Sequence, residues 1–291
     1  MSHRQTTRHT WHHELDDLVR GASGGFLFGI PLLYTMEVWW IGSHASPLRL
    51  LLALTLTFGL VLALNRTAGF RRTQDIRLRD AAMDSVEALA IGLVCTALVL
   101  TLLREITPAT PRDETLGKII FESVPFALGV ALANQFLSGS REGDDATAAQ
   151  PPAPTRNRQL NATLADIGAT LIGATIIAFN IAPTDEVPML AAASSAPWLL
   201  ALMAASLLIS YGIVFEAGFT RQQQRFQQQG IFQRPLSETV AAYLASLLAA
   251  LGMLLFFGQL SFDDPWQLWL RYTLILGLPA TIGGAAGRLA V

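Results

Sequence analysis

Eight stretches of apolar sequence, most of them close to 20 residues long, constrain this 291-residue chain more than any other feature. They run over about 21 to 41, 48 to 64, 82 to 103, 119 to 138, 162 to 182, 196 to 215, 237 to 257 and 266 to 288. A helix of about 20 residues crosses a hydrocarbon core of about 30 Å. The stretches are continuously apolar, whereas membrane β-strands read as segments of about ten residues with alternating polarity, so a barrel is excluded. Composition agrees: 52% of residues are hydrophobic and 14% charged, against about 25% charged in soluble chains. The expected fold is therefore an all-α membrane protein with eight transmembrane helices.

The formal net charge of −2 hides an asymmetry. With the N-terminus inside, fifteen of the 20 basic residues fall on inner segments and five, Arg49, Arg104, Arg112, Lys118 and Arg271, on the outer side. The positive-inside rule then places both termini of a multi-pass membrane protein in the cytoplasm. Topology accounts for the basic loops, so nucleic acid is not an expected partner. Trp39, Trp40, Trp198, Trp266 and Trp269 fall at outer ends, as an aromatic belt would place them. The first 20 residues lack the apolar core of a signal peptide. The lone Cys95 can form no intrachain disulfide.

The chain also reads as duplicated. Residues 35 to 72 align without a gap onto 184 to 221, at an offset of 149 and with ten identities in 38 positions, including "TMEV" on "TDEV". Beyond a longer second loop the offset becomes 154, placing "PFALGVA" (125 to 131) on "PATIGGA" (279 to 285). Four spans per repeat is an even number, so the repeats should enter the membrane in the same direction, the parallel class of transporter repeat. The expected organisation is an N-terminal tail at 1–20, a first four-helix repeat at 21–138, a disordered cytoplasmic linker at 139–160 and a second repeat at 161–291. Gly21, Gly25 and Gly29, with Gly283 and Gly287, read as close-packing faces.

Acids inside a membrane are costly, at about 2.5 to 3.5 kcal/mol each, and so mark candidate sites. Glu37 and its repeat mate Glu186 lead, with Thr35 and Thr184 two residues before them. Glu87, one turn deeper than Asp84 on the same face, and Glu122, one turn from Pro125, complete the ion-binding or permeation candidates. Asp84 and Glu238 read as acids placed for a helix N-terminus. Pro31, Pro125, Pro183, Pro188 and Pro279 are expected to break or kink helices and free carbonyls. The rival reading of Glu37 and Glu186 is a pair of interfacial acids bathed in water.

The segment "GGFLFGIPLLYTMEVWW" (24 to 40), followed by "AGFRR" (68 to 72), resembles a bacterial family of integral membrane proteins of unknown function. The resemblance covers nearly the whole chain and implies no activity. His3, His9, His12 and His13 fit no closed metal site. No phosphate loop or catalytic triad is present, so neither an enzyme nor a cofactor is expected. The reading that remains is a channel or transporter for a small cation, proton or metal, using the paired glutamates. The alternative is a non-transporting sensor or assembly protein. The lipid bilayer is the expected partner, and a homo-oligomer is left open.

Overall fold

The computed structural model describes residues 3–68, 78–137, 156–216 and 235–289. The linker expected at 139–160, up to residue 155, the loop at 220 to 234 and residues 69 to 72 of "AGFRR" lie outside the described residues, as do the side chains of the four N-terminal histidines. Among the described residues the regular structure is entirely helical. Ten helices follow in order: α1 (His3–Leu33), α2 (Met36–Ser43), α3 (Pro47–Ala68), α4 (Leu78–Leu102), α5 (Arg112–Leu137), α6 (Arg156–Ile181), α7 (Glu186–Ala193), α8 (Ala196–Tyr211), α9 (Pro235–Phe256) and α10 (Trp266–Leu289). A π-helical turn, Gly212–Glu216, continues α8. The chain divides into two compact units, α1 to α5 and α6 to α10, with residues 100–107 grouping with the second.

Among the described residues five helices are long and apolar enough to cross a membrane: Pro47–Arg66, Leu78–Leu102, Arg112–Ala133, Ala196–Phe215 and Pro235–Phe256. The count rises to seven if two bent pairs are each one span. Their outward faces suit lipid. On α9, Leu236, Val240, Leu244 and Leu248 recur every four residues and are all exposed, a continuous apolar stripe that a water-soluble helix would bury. α10, expected as the eighth span, falls outside this set. Its residues from Leu274 to Ala285 are buried within the second unit, and a helix screened by protein can carry the glycines, Pro279 and the arginines that dilute its hydropathy.

The first span differs from the continuous 21-to-41 helix expected. Glu14–Leu33 and Met36–Ser43 meet at 92°. Pro31 lies inside α1, two residues before its end, and the break itself falls at Tyr34 and Thr35, where Thr35 is extended at φ −134° and ψ 97°. The terminal carbonyls of α1 find local donors. Thr35 Oγ1 donates to Leu32 O at 2.8 Å, and Trp39 Nε1 donates to Leu33 O at 2.8 Å. Trp39 is thus buried, which removes it from the expected belt, while Trp40 and Trp266 are exposed. In the second unit α6 ends at Ile181 and α7 begins at Glu186, the two bent by 90°. Pro183 lies in that turn and Pro188 in the first turn of α7. Pro125 and Pro279 lie inside α5 and α10, which run on past them as helices and are not broken there.

In each unit the fourth long helix is the hub. α5 packs on α1, α2 and α3, and α10 packs on α6, α7, α8 and α9. Glycine permits these approaches. A Cβ on Gly24 would lie 2.5 Å from Gly129 O, and one on Gly173 would lie 2.1 Å from Gly283 O. These two pairs correspond at the offsets of 149 and 154. Gly21, Gly25 and Gly29 face Val130 and Phe126 of α5, and Gly287 faces Ala169 of α6.

Other local bonds recur at the same offsets. Thr184 Oγ1 donates to Ile181 O at 2.7 Å as Thr35 does to Leu32 O. Ser85 donates to Ala81 O and Thr239 to Pro235 O. Thr57 donates to Ala53 O and Ser206 to Leu202 O. Each hydroxyl bonds the carbonyl of a preceding turn, the usual way a buried Ser or Thr is satisfied in an apolar helix.

Candidate functional site

The structure sorts the candidate acids by burial. Glu37 and Glu186 occupy equivalent places, the first turns of the short helices α2 and α7. There the helix dipole favours a negative charge. Glu37 is nonetheless exposed, whereas Glu186 is only 6% exposed. Thr35 and Thr184 spend their hydroxyl protons on the broken ends of α1 and α6. Their oxygens keep lone pairs that could accept or ligate. Glu87 and Asp84 are exposed on α4.

Glu122 stands apart. It is 1% exposed on α5, the hub of the first unit, and its Oε1 has no hydrogen-bond partner among the described residues. Three residues on is Pro125, which has no amide hydrogen to give the Phe121 carbonyl. Two hydroxyls of the same unit are also buried: Ser123 Oγ donates to Ile120 O at 2.8 Å, and Thr96 Oγ1 of α4 has no partner among the described residues. A Cβ on Gly92 of α4 would lie 2.8 Å from Ala127 N of α5.

A basic residue that the sequence reading assigned only to topology completes this face. Lys118 lies one turn before Glu122 and pairs with Glu114 one turn earlier, Nζ to Oε1 at 2.9 Å. Residues four apart share a helix face, so Glu114, Lys118 and Glu122 form one stripe on α5. The stripe deepens as it runs: the Glu114 side chain is 32% exposed, that of Lys118 10%, and Glu122 as a whole 1%. Its spacing was the signal, visible in "ETLGKIIFE" at 114 to 122. At the equivalent places of the second unit stand Leu268, Tyr272 and Leu276, so the stripe belongs to the first unit alone.

The second unit buries a different charge. Arg288 of α10, 1% exposed, pairs with Glu238 in the first turn of α9. Its guanidinium carbon lies 5.6 Å from the ring centre of Phe215 in the π-turn. Glu238 is therefore an ion-pair partner as well as an N-terminal acid. Arg271 of the same unit donates through Nη1 to Ala191 O and Ser194 O, both at 3.1 Å, at the C-terminal end of α7.

These groups can do limited chemistry. Among the described residues no three His, Cys, Asp or Glu side chains gather where a metal ion could be held. A multi-carboxylate cage for a hard cation, with six or more oxygens, is thus not assembled from them. What the first unit offers among the described residues is the buried Glu122 carboxyl, one turn beyond an ion pair.

No curated protein and no solved structure matches the chain. Residues 17–291 match a family described as "Putative integral membrane protein (DUF2391)", and the chain belongs to that integral membrane family, whose function is unknown.

Proposed function

We propose that this protein passes a small cation, proton included, across the bilayer, with Glu122 as its binding station. One observation carries the proposal. A carboxyl lies wholly inside a unit with membrane-length helices, and its Oε1 meets no donor among the described residues. Carboxylates at such depth cost several kcal/mol unless a proton or a cation joins them. Glu186, also buried, is the matching candidate in the second unit, whereas the exposure of Glu37 leaves it without the desolvated setting the role needs.

The same proposal takes α10 as an eighth span and reads the chain as two tandem four-helix repeats with both termini cytoplasmic, in a bacterial inner membrane. The glycine pairs and hydroxyl bonds recurring at 149 and 154 residues support the duplication. A parallel repeat needs an even number of crossings in each half.

The test is flux through purified protein in sealed vesicles, read with a pH dye and with dyes for Na⁺, K⁺ and Ca²⁺. Cation flux that Glu122→Gln lowers at least about tenfold is the expected result. Absence of flux for every ion would favour a non-transporting sensor or assembly protein. Flux unchanged in Glu122→Gln would move the station elsewhere, with Glu186 the next substitution.

A further inference from the structure

The stripe on α5 carries a statement about which cation. We infer that the permeant ion is the proton, taken up and released by Glu122, and that Lys118 excludes metal cations from the same path. This inference rests on the transport reading and names its substrate.

Metal selectivity needs a shell of oxygens that replaces the water an ion sheds. The oxygens that α5 itself offers at Glu122 are the one carboxyl and the carbonyl of Phe121, which Pro125 leaves without its helical donor. Among the described residues no group of three His, Cys, Asp or Glu side chains able to hold a metal ion includes Glu122. A proton needs no such shell, because a single carboxyl oxygen suffices to hold it.

Charge along the approach discriminates further. Glu114 and Lys118 neutralise each other as a pair at 2.9 Å, but the positive member lies on the inner side, one turn or roughly 6 Å along the axis from Glu122. A metal cation moving inward along the stripe meets the ammonium last, where its side chain is 10% exposed and little water screens it. Like charges in such a setting repel more strongly than in water. A proton avoids that encounter, because it moves by transfer between hydrogen-bonding groups and need not pass the lysine as a bare ion. Among the described residues, the other titratable side chains that the first unit buries are Arg20 and Tyr34 of α1 and Cys95 of α4, and none of these donates a hydrogen bond to Glu122 Oε1.

The experiment uses full-length protein in sealed vesicles, with one ion gradient imposed at a time. Proton flux is expected, at a rate that changes less than about twofold when K⁺ and Na⁺ are replaced by choline. Glu122→Gln should lower that flux at least about tenfold while keeping wild-type helix content, and Glu122→Asp should restore part of it. Lys118→Met should admit Na⁺ or K⁺; unchanged ion selectivity in that variant would overturn the part assigned to Lys118. Metal-ion flux in the wild type that Glu122→Gln abolishes would overturn the proton inference and leave the transport reading standing. No flux of any ion would sink both. Infrared difference spectra across a pH jump give an independent readout. A carboxyl band present in the wild type and absent from Glu122→Gln is expected, and identical spectra would overturn proton exchange at Glu122.

Discussion

Arg104 and Gly258 hold the same turn at the ends of α4 and α9, in equivalent places 154 residues apart. Their φ angles are 68° and 73°. In each turn the residue itself bonds back to a carbonyl three before it, Thr101 O or Leu255 O, and the next two amides share Leu100 O or Leu254 O. This is the Schellman termination of a helix, which glycine suits because a Cβ is strained at positive φ.

Gly258→Ala should therefore lower stability by about 1 to 2 kcal/mol, the cost of a left-handed non-glycine residue. Arg104→Gly should relieve about the same strain and lose about 0.5 to 1 kcal/mol of stacking, since the guanidinium carbon lies 5.1 Å from the Trp198 ring centre. The two substitutions, 154 residues apart, thus have opposite outcomes, a clear loss and a small net gain of up to about 1.5 kcal/mol. Denaturant unfolding in detergent micelles, followed by helix circular dichroism, reads both.

Glycines divide into those that touch backbone and those that touch nothing. A Cβ at Gly24 or Gly173 would strike the carbonyl of Gly129 or Gly283, so Ala at either should cost about 1 to 3 kcal/mol through forced separation of helices. Gly168 and Gly252 lie within α6 and α9, and a Cβ there meets nothing within 4 Å. Ala at these places should stabilise by about 0.5 to 1 kcal/mol through helix propensity. Equal effects at the two kinds of site, measured by the same unfolding assay, would refute the packing assignment.

Much of this fold was legible because the bilayer imposes it. The lipid-facing helices α3, α4, α8 and α9 declare themselves by length and hydropathy, and the wide polar gaps separate them. The bend after α1 did not announce itself: Pro31 read as a mid-span kink, while the break came at Tyr34 and Thr35, where Trp39 supplies a donor from six residues on. "APTDEVP" carries two prolines and showed its turn plainly. Burial of individual acids was not legible at all. Glu37 and Glu186 share neighbours and helix position yet differ in exposure, because exposure depends on what packs across from them. Glu122 was visible only as an acid near Pro125, and the meaning of Lys118 appeared once the helix face was known.

The Glu238–Arg288 pair should behave as a buried ion pair. Removing either partner, by Glu238→Gln or Arg288→Met, should destabilise the protein by about 3 to 5 kcal/mol, because the other charge is left in a low-dielectric interior. The double substitution should cost clearly less than the sum of the singles. A double-mutant cycle in detergent measures the difference, and strict additivity would show that the two side chains contribute independently.

Arg271 offers the sharpest contrast between the units. Counting at the two offsets, Gly117 stands in its place and Gly42 in that of Ala191, and in the first unit these glycines meet closely: a Cβ on Gly117 would lie 2.0 Å from Gly42 O. In the second unit the same junction is made by a guanidinium bonded to Ala191 O and Ser194 O, at the end of α7 where carbonyls lack helical donors. A cation there also complements the helix dipole. Arg271→Met keeps the stem and removes both bonds, and should cost about 1.5 to 3 kcal/mol. Lysine should recover only part of that loss, since one ammonium on a flexible stem replaces a planar fork that is already ordered. Hydrogen exchange at the amides of α7 reads the effect locally: faster exchange is expected in Arg271→Met, an intermediate rate in Arg271→Lys, and no change in α2. Unaltered exchange in α7 would mean that Arg271 leaves the short helix unsupported and that its packing on α10 alone holds it.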